Sequence, residues 1–362
     1  MIKRDRIGEN KLKSMLISES ITIKQAMQKL NETAEQVLFV VDKKNRLLGT
    51  VTDGDIRRAI IDGRKFNDKI GLVMHRDFIA VRSGIKDIEE HVKTLMVETE
   101  IEQIPVLNSS GIIEDVFLWT DMLEAKKNIT QKKKYENQVV IMAGGKGSRL
   151  DPFTKILPKP LIPLGNKPVI EVIMERFFLY GMYKFIYTLN YKKEFIKLFL
   201  KDNEYPYEIE WVEEDNFLGT AGGLRLLKDK LKETFFVTNC DSVLDVDFEQ
   251  VLLWHLDNKS AITIIGCHKE VKIPFGVLEM SGGRLDKIKE KPVHDVVINT
   301  GVYVMEPRII KYIPRNRSFD MNELIDILIN REKVSVYPIY DGWLDIGQWE
   351  EYNKSVEKFN IS

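Results

Sequence analysis

Gln138-Val139-Val140-Ile141-Met142-Ala143-Gly144-Gly145-Lys146-Gly147-Ser148-Arg149-Leu150 runs from an apolar, strand-like segment straight into a glycine-rich turn, and Pro158-Lys159-Pro160 follows shortly after. A strand that ends in such a turn brings backbone N–H groups close to a ligand, an approach that glycine permits. Arg149 and Lys159 add positive charge, so the ligand this loop suits is a polyphosphate. Two familiar glycine patterns do not fit. A P-loop needs Gly-Lys followed by Ser or Thr, but Lys146 is followed by Gly147. A dinucleotide fingerprint starting at Gly145 needs glycine where Leu150 stands. What remains is Gly-Gly-x-Gly-Ser-Arg-Leu-x-Pro-Phe-Thr with Pro-Lys-Pro-Leu in register behind it. Arg149, Thr154 and Lys159 together separate this pattern from a tight turn with incidental basic residues.

The 362 residues allow two or three domains, and 44% hydrophobic with 30% charged residues is an ordinary globular balance. A formal net charge of −1 gives no global field favouring nucleic acid or an anionic membrane. No apolar run reaches the ~18 residues of a membrane span. The opening Met1-Ile2-Lys3-Arg4-Asp5-Arg6 lacks the apolar stretch of a secretory signal. Cys240 and Cys267 lie in separate strand-like runs and make neither a disulfide framework nor a zinc spacing. The expectation is a cytoplasmic protein with no nucleic-acid or membrane partner. His75, His91, His255, His268 and His294 are dispersed and form no zinc or triad pattern.

A polar, lysine-rich stretch around residues 125–137 reads as a linker between an N-terminal part, 1–124, and a C-terminal part, 138–362. The N-terminal part reads as a repeat of roughly 60 residues. Its first copy has an amphipathic helix carrying Ala26, Met27 and Leu30, a buried strand from Val37 to Val41, a turn, a strand from Leu47 to Thr52, and a helix opened by Asp55. The second copy runs through Phe78 to Val81, a helix from His91 to Met96, a strand at Ile104 to Leu107, a turn at Asn108 to Gly111, and a strand leading to Asp121. One such unit buries too little alone, so the copies are expected to pack as one module.

The C-terminal part alternates strands and helices, which argues an α/β fold with a doubly wound, mostly parallel, Rossmann-like sheet. Pro168 opens a helix closed by Gly181, Lys184 to Leu189 is a strand, and Gly219-Thr220-Ala221-Gly222-Gly223 leads into a helix with Leu224, Leu227 and Leu231. Phe235 to Cys240 is a strand ending at Asp241. Ligands of such sheets sit beyond the carboxyl ends of the strands, where the glycine loop and Asp241 both fall. Asp241 reads as a metal ligand or as a strand-end cap, with Asp245 and Asp247 as neighbouring carboxylates and Asp247 better suited to cap the helix from Phe248 to Leu256. Asp345 by itself reads as a cap before Gly347.

The glycine loop, Asn239-Cys240-Asp241-Ser242, Pro274-Phe275-Gly276-Val277, Glu290-Lys291-Pro292, Asn299-Thr300-Gly301 and Trp343-Leu344-Asp345-Ile346-Gly347, in that order, resemble the sugar-1-phosphate nucleotidylyltransferases. The resemblance implies transfer of a nucleotidyl group from a nucleoside triphosphate to a sugar 1-phosphate, with Mg²⁺ held by Asp241 and Asp345. Arg149 and Lys159 take the catalytic roles, on the leaving pyrophosphate and the α-phosphate respectively. Ala143, Gly144, Gly145, Gly147 and Ser148 line the nucleotide, and Gly219 and Thr220 belong to the turn beside the base. Gly276, Glu290, Lys291 and Asn299 hold the sugar and its phosphate. Glu214 falls where the family places a base-reading side chain. A carboxylate there matches guanine N1–H and N2–H₂ together, which favours GTP. The other reading of Glu214, flanked by Glu213 and Asp215, is an exposed acidic turn.

The N-terminal repeat resembles a pair of cystathionine-β-synthase (CBS) domains. That resemblance implies an adenine nucleotide between the copies, with Thr52, Asp55 and Asp121 as ligands. The first copy keeps Gly49-Thr50-Val51-Thr52-Asp53-Gly54-Asp55-Ile56; the second has Leu118 where a threonine is expected. Asp55 and Asp121 read equally as helix caps, and a dimerisation role, hence a homo-oligomer, is as strong an expectation as ligand binding. A CBS pair ahead of a nucleotidyltransferase resembles the glucosamine-1-phosphate guanylyltransferases that serve bacterial nonulosonic (legionaminic) acid glycans. Mannose-1-phosphate guanylyl transfer is the nearest alternative, then uridylyl or thymidylyl transfer to glucose 1-phosphate. A non-catalytic nucleotide sensor is the alternative of another class.

Overall fold

The computed structural model describes residues 9–33, 36–85, 88–99, 101–118, 134–315, 317–349 and 351–353. The chain divides into two compact units, Met1–Thr130 and Gln131–Ser362. No described helix is long and apolar enough to cross a membrane.

In the first unit the expected repeat is visible strand by strand. Helix α1 (Glu9–Met15) leads into β1 (Leu16–Ser18), α2 (Ile23–Thr33), β2 (Val37–Val41), β3 (Leu47–Thr52) and α3 (Asp53–Ile61). The second copy has β4 (Val81–Arg82), α4 (Ile88–Thr99), β5 (Gln103–Leu107) and β6 (Ile113–Leu118). In each copy the first strand pairs parallel with the second, and the second antiparallel with the third. Each hairpin carries a register shift at the same place, Val40/Val41 and Val106/Leu107. Each turn is closed by one side chain. Asp42 Oδ1 accepts from the amides of Lys44 (2.8 Å) and Arg46 (2.9 Å), and Asn108 Oδ1 from Ser110 (2.9 Å) and Ile112 (3.0 Å). Phe39, Val41 and Leu47 of the first copy share a core with Ile113, Val116 and Leu118 of the second, so neither copy is closed without the other.

The second unit is built on β7 (Val139–Ala143), whose five residues are all buried. Alternate side chains face opposite cores. Val139, Ile141 and Ala143 pack with α5 (Val169–Leu179), α6 (Lys193–Asp202) and α7 (Phe248–Asn258), while Val140 and Met142 pack with Leu224, Leu227 and α8 (Met321–Ile329). A strand buried on both faces fits the doubly wound arrangement expected from the alternation of strands and helices. The hairpin β8 (Pro163–Leu164) and β9 (Lys167–Pro168) precedes α5. The main sheet adds β10 (Lys184–Leu189), β11 (Glu208–Glu213), β12 (Phe235–Asn239), β14 (Ile262–Lys272), β17 (Val293–Met305) and β18 (Val334–Ile339), in the order β11-β10-β7-β12-β17-β14-β18. Only β17 runs against its neighbours, so the sheet is mixed although mostly parallel.

Two further two-stranded sheets belong to the unit: β13 (Ser242–Leu244) paired antiparallel with β19 (Trp343–Asp345), and the hairpin of β15 (Val277–Ser281) and β16 (Arg284–Lys289). The helix expected after Gly223 is a single turn over Gly219–Gly222 followed by a 3₁₀ segment, Gly223–Leu227, because two adjacent glycines do not sustain an α-helix. Asp247 caps α7 as expected, accepting from Gln250 N at 3.0 Å.

At the seam, Lys134 to Asn137, assigned to the linker on sequence, are bonded into the second unit. Tyr135 N donates to Gly181 O (3.0 Å) and Asn137 Nδ2 to Thr234 O (2.7 Å). The remainder of the expected linker, and Asp121, lie outside the described residues.

Candidate active site

The parallel register brings the carboxyl ends of β7, β10 and β12 to one edge, with Ala143 beside Leu189 and Met142 beside Asn239. The residues that follow these ends are Gly144, Asn190 and Cys240-Asp241, and Glu214 follows β11. This edge is where the chain's chemistry gathers.

The amides of Gly145, Lys146, Gly147 and Ser148 donate to no protein acceptor among the described residues, which leaves an open nest of donors. Gly147 adopts φ +67°, and a Cβ there would fall 2.9 Å from Lys159 Cβ and 3.0 Å from Thr154 Cγ2. The loop therefore folds directly onto the Lys159 stem. Thr154, 1% exposed, places its hydroxyl between the Gly147 carbonyl (3.1 Å) and the Asp151 carboxylate (2.7 Å), fixing the far side of the loop. The segment behind is clasped by the C-terminal turn. Trp349 Nε1 donates to Asp151 O (3.1 Å), and its ring packs edge-on against Phe153 at 4.7 Å.

Lys159 is buried and its ammonium donates to Asp241 Oδ2. Asp241 meets Asp345 because β13 and β19 pair with Ser242 opposite Asp345, and Ile346 N donates to Asp241 O at 2.8 Å. A Cβ on Gly347 would lie 2.7 Å from Asp345 Oδ1 and 3.0 Å from Asp241 Oδ2, so both carboxylates converge on one point over that glycine. Burial, and next the negative charge of Asp241, hold the Asp345 carboxyl above its ordinary range. The Gly347 amide, Lys159 and Arg149 oppose the shift. Burial pushes the neighbouring Cys240 thiol up to about 12, so it is a packing group and no nucleophile.

Two close oxygen donors with one ammonium for countercharge suit a hard divalent cation, which takes few carboxylates and leaves positions for phosphate and water. Asp241 and Asp345 are the residues that would hold it.

Glu214 is 2% exposed, not on an exposed acidic turn. Its carboxylate lies under Gly144, both oxygens 3.3 Å from where a Cβ would stand, and Oε2 accepts from Leu218 N at 2.9 Å. Burial raises its pKa. Gly219 (φ +82°) has its Cβ side filled by Phe319 O and Asp320 Oδ1, each 2.7 Å away, so the chain's own packing demands glycine here. Thr220 is likewise engaged. Its amide donates to Asp320 Oδ1 (2.9 Å), and its hydroxyl accepts from Met321 N (2.8 Å) at the start of α8.

On the other side, Ser242 Oγ donates to Thr300 O (2.5 Å), which holds the Asn299-Thr300-Gly301 stretch of β17 beside Asp241. Asn299 Oδ1 accepts from Gly301 N and its Nδ2 donates to Tyr303 Oη, both at 2.9 Å. Gly276 and Glu290 face each other, 3.1 Å from the Cβ position to Glu290 Oε2, and Lys291 follows with φ +43°. This group sits on the exposed β15–β16 arm, and no contact joins it to Asp241 among the described residues. The structure thus brings Arg149, Lys159, Asp241, Asp345 and Asn299 to one edge and leaves Gly276, Glu290 and Lys291 as a second group.

Sequence alone assigns no role to Asn190, Asp320 or Trp349. Asn190 Nδ2 donates to Glu214 O (2.8 Å). The Asp320-x-x-Glu323 capping box was the one signal that marked a member of this set.

In the first unit, Thr52 and Asp55 form a capping box at the start of α3. Asp55 Oδ2 accepts from Thr52 N (2.9 Å) and Thr52 Oγ1 (2.7 Å), and Oδ1 accepts from Arg58 (2.6 Å). A cavity of about 680 Å³ runs along α3, lined by Asp55, Arg58, Arg64, Lys65 and His75 among others.

An open glycine nest, a buried lysine and two convergent carboxylates stand together at the carboxyl edge of a doubly wound α/β sheet, an arrangement that suits phosphate-bearing anions. Residues 138–360 match the nucleotidyl transferase family, and the chain belongs to it. Residues 13–62 match the CBS domain. Among curated proteins, the mannose-1-phosphate guanyltransferase of Candida albicans is 31% identical over 223 residues, 59% of this chain and 62% of that protein. Mannose-1-phosphate guanylyltransferase 1 of Arabidopsis thaliana is 32% identical over 225 residues, with the same shares covered. The chain thus spans less than two thirds of the length of these relatives. Among solved structures, HddC from Yersinia pseudotuberculosis complexed with GMP-PN is 28% identical, with a TM-score of 0.50 over 62% of this chain and 99% of that one. A Bacillus anthracis structure described as a putative glucose-1-phosphate thymidylyltransferase, 20% identical with a TM-score of 0.51, shares the fold.

Proposed function

We propose that the second unit transfers a guanylyl group from GTP to a hexose 1-phosphate, releasing pyrophosphate. The observation that carries this is the meeting of Lys159, Asp241 and Asp345 beside the glycine nest. A phosphate oxygen of the sugar 1-phosphate attacks the α-phosphorus; a new P–O bond forms there as the α–β bridging bond breaks, and pyrophosphate leaves with that electron pair. No side chain becomes covalently bonded, so the protein's work is positioning and charge neutralisation. The nest amides and Arg149 hold the β- and γ-phosphates, and Lys159 serves the α-phosphate. Asp241 and Asp345 would hold Mg²⁺, which would supply countercharge for the phosphates. Glu214, buried beneath Gly144, faces the base. Asn299 and, on the arm, Gly276, Glu290 and Lys291 serve the sugar phosphate.

Two sugars compete. The relatives are mannose-1-phosphate enzymes, which favours mannose 1-phosphate. A CBS module ahead of the transferase favours glucosamine 1-phosphate. We read the N-terminal module as an adenine-nucleotide-binding regulator in a cytoplasmic, homo-oligomeric enzyme.

Pyrophosphate release with Mg²⁺, crossing GTP, UTP, dTTP, CTP and ATP against glucosamine, N-acetylglucosamine, mannose and glucose 1-phosphates, tests the reading. The expected result is turnover with GTP and one sugar, abolished by Asp241→Asn. Absence of turnover in every combination, in a folded protein that still binds nucleotide, would return the chain to the sensor class.

A further inference from the structure

Lys159 and the cation it would serve beside are drawn to the same atom. The Lys159 ammonium donates to Asp241 Oδ2, and both side chains are nearly buried, 10% and 13% exposed. That oxygen is also the one that shares the point over Gly347 with Asp345 Oδ1. No other lysine or arginine forms an ion pair with Asp241 or Asp345 among the described residues. The Lys159 backbone cannot drift away. It lies in a 3₁₀ turn between Pro158 and Pro160, with Gly147 against its Cβ. Only the outer part of its side chain is free to move.

We propose that Lys159 is a resident counter-cation, displaced from Asp241 Oδ2 when a divalent cation binds between Asp241 and Asp345, and that this displacement is what delivers its ammonium to the nucleotide. Two positive charges cannot share one partly buried carboxylate oxygen without strong repulsion. An ammonium expelled from a nearly buried carboxylate needs a new acceptor, and a phosphate oxygen is the one nucleotide binding brings. Metal and nucleotide binding are then reciprocally coupled through one side chain. Without nucleotide, metal affinity is held down by the lysine, which offsets one of the two carboxylate charges and keeps the site ready.

The inference rests on the metal-assisted reading above, so its test needs neither sugar nor turnover. Mn²⁺ binding, read from the loss of the free-ion electron paramagnetic resonance signal, is compared for the full-length protein, Lys159→Met and Lys159→Arg, without nucleotide. Lys159→Met should bind Mn²⁺ at least about tenfold more tightly, while Lys159→Arg, which keeps the charge, should stay within about twofold of the parent. A Lys159→Met affinity equal to or weaker than the parent's overturns the inference. The unsubstituted protein supplies a second reading that depends on no variant folding. Acetylation of the Lys159 ε-amine, followed by mass spectrometry against exposed Lys155 as internal reference, should accelerate several-fold when Mn²⁺ is added. An unchanged rate with Mn²⁺ bound equally overturns the inference. Turnover in the substrate grid alongside an unimproved Lys159→Met sinks the displacement alone; the predicted metal gain with no turnover sinks the transferase reading alone.

Discussion

His255 is fully buried and its two ring nitrogens have unlike neighbours. Nε2 lies 3.2 Å from Glu306 Oε1, and Nδ1 lies 2.8 Å from Thr263 Oγ1. A carboxylate has no proton to give, so Nε2 carries the hydrogen and Nδ1 accepts from Thr263. Thr263 in turn accepts from Ser335 (2.8 Å), and Ser335 from Ser260 (2.9 Å). The chain of hydroxyls has one direction. Burial lowers the His255 pKa, outweighing the Glu306 partner. The folded state therefore binds fewer protons than the unfolded one, and the stabilisation is complete above the unfolded value of about 6.5 and lost as pH falls below it. Thermal unfolding between pH 7.5 and 5.5 should show a fall in Tm that His255→Gln flattens. A parallel fall in both proteins would exclude His255 as the cause. Thr263→Val, which strands Nδ1, should cost about 1–3 kcal/mol by urea unfolding.

Elements were legible where a periodic pattern met a decisive end. The apolar run of β7 marks a strand, and the following glycines mark its ligand side. The repeat in the first unit was readable because each turn closes with an Asp or Asn at the same place. Other elements hid for physical reasons. The β15–β16 arm leaves Leu278, Met280, Leu285 and Ile288 between 49% and 66% exposed, so its alternation does not report burial. Gly219 looked like a ligand glycine because glycine is demanded equally by a ligand and by a crowding backbone, here that of Phe319. The glycine loop makes the opposite case. At Gly147 a side chain would meet both the left-handed backbone and the Lys159 stem. Gly147→Ala should cost about 1–3 kcal/mol of stability and weaken nucleotide binding at least tenfold. Calorimetric titration with GTP is the check, and unaltered affinity would mean that the loop does not cradle the phosphates.

At the scale of the molecule, two compact units with separate cores predict two separable responses. Adenine nucleotide should raise the melting of the first unit, by about 2.7 kcal/mol at a hundredfold excess over its Kd, and GTP with Mg²⁺ that of the second. Differential scanning calorimetry resolves the two. If neither AMP nor ATP moves the first transition, the cavity along α3 has another use and the module is a scaffold. The domain order could be read directly from the chain. The convergence of Asp241 and Asp345 could not, since nothing local to either residue says that their neighbours pair across about a hundred intervening positions.

That pairing has a kinetic side. The strands β13 and β19 are three residues each and form a sheet of their own, apart from the seven-stranded one. So short a ladder opens at a lower free energy than the central strands. Deuterium should therefore enter at the amides of Ile346 and Gly347 long before those of Val140 and Ile141; equal protection would show the two sheets to be one cooperative body. The carboxylate pair then exists only for the fraction of time the small ladder is shut, and anything bridging the two acids also acts as a latch.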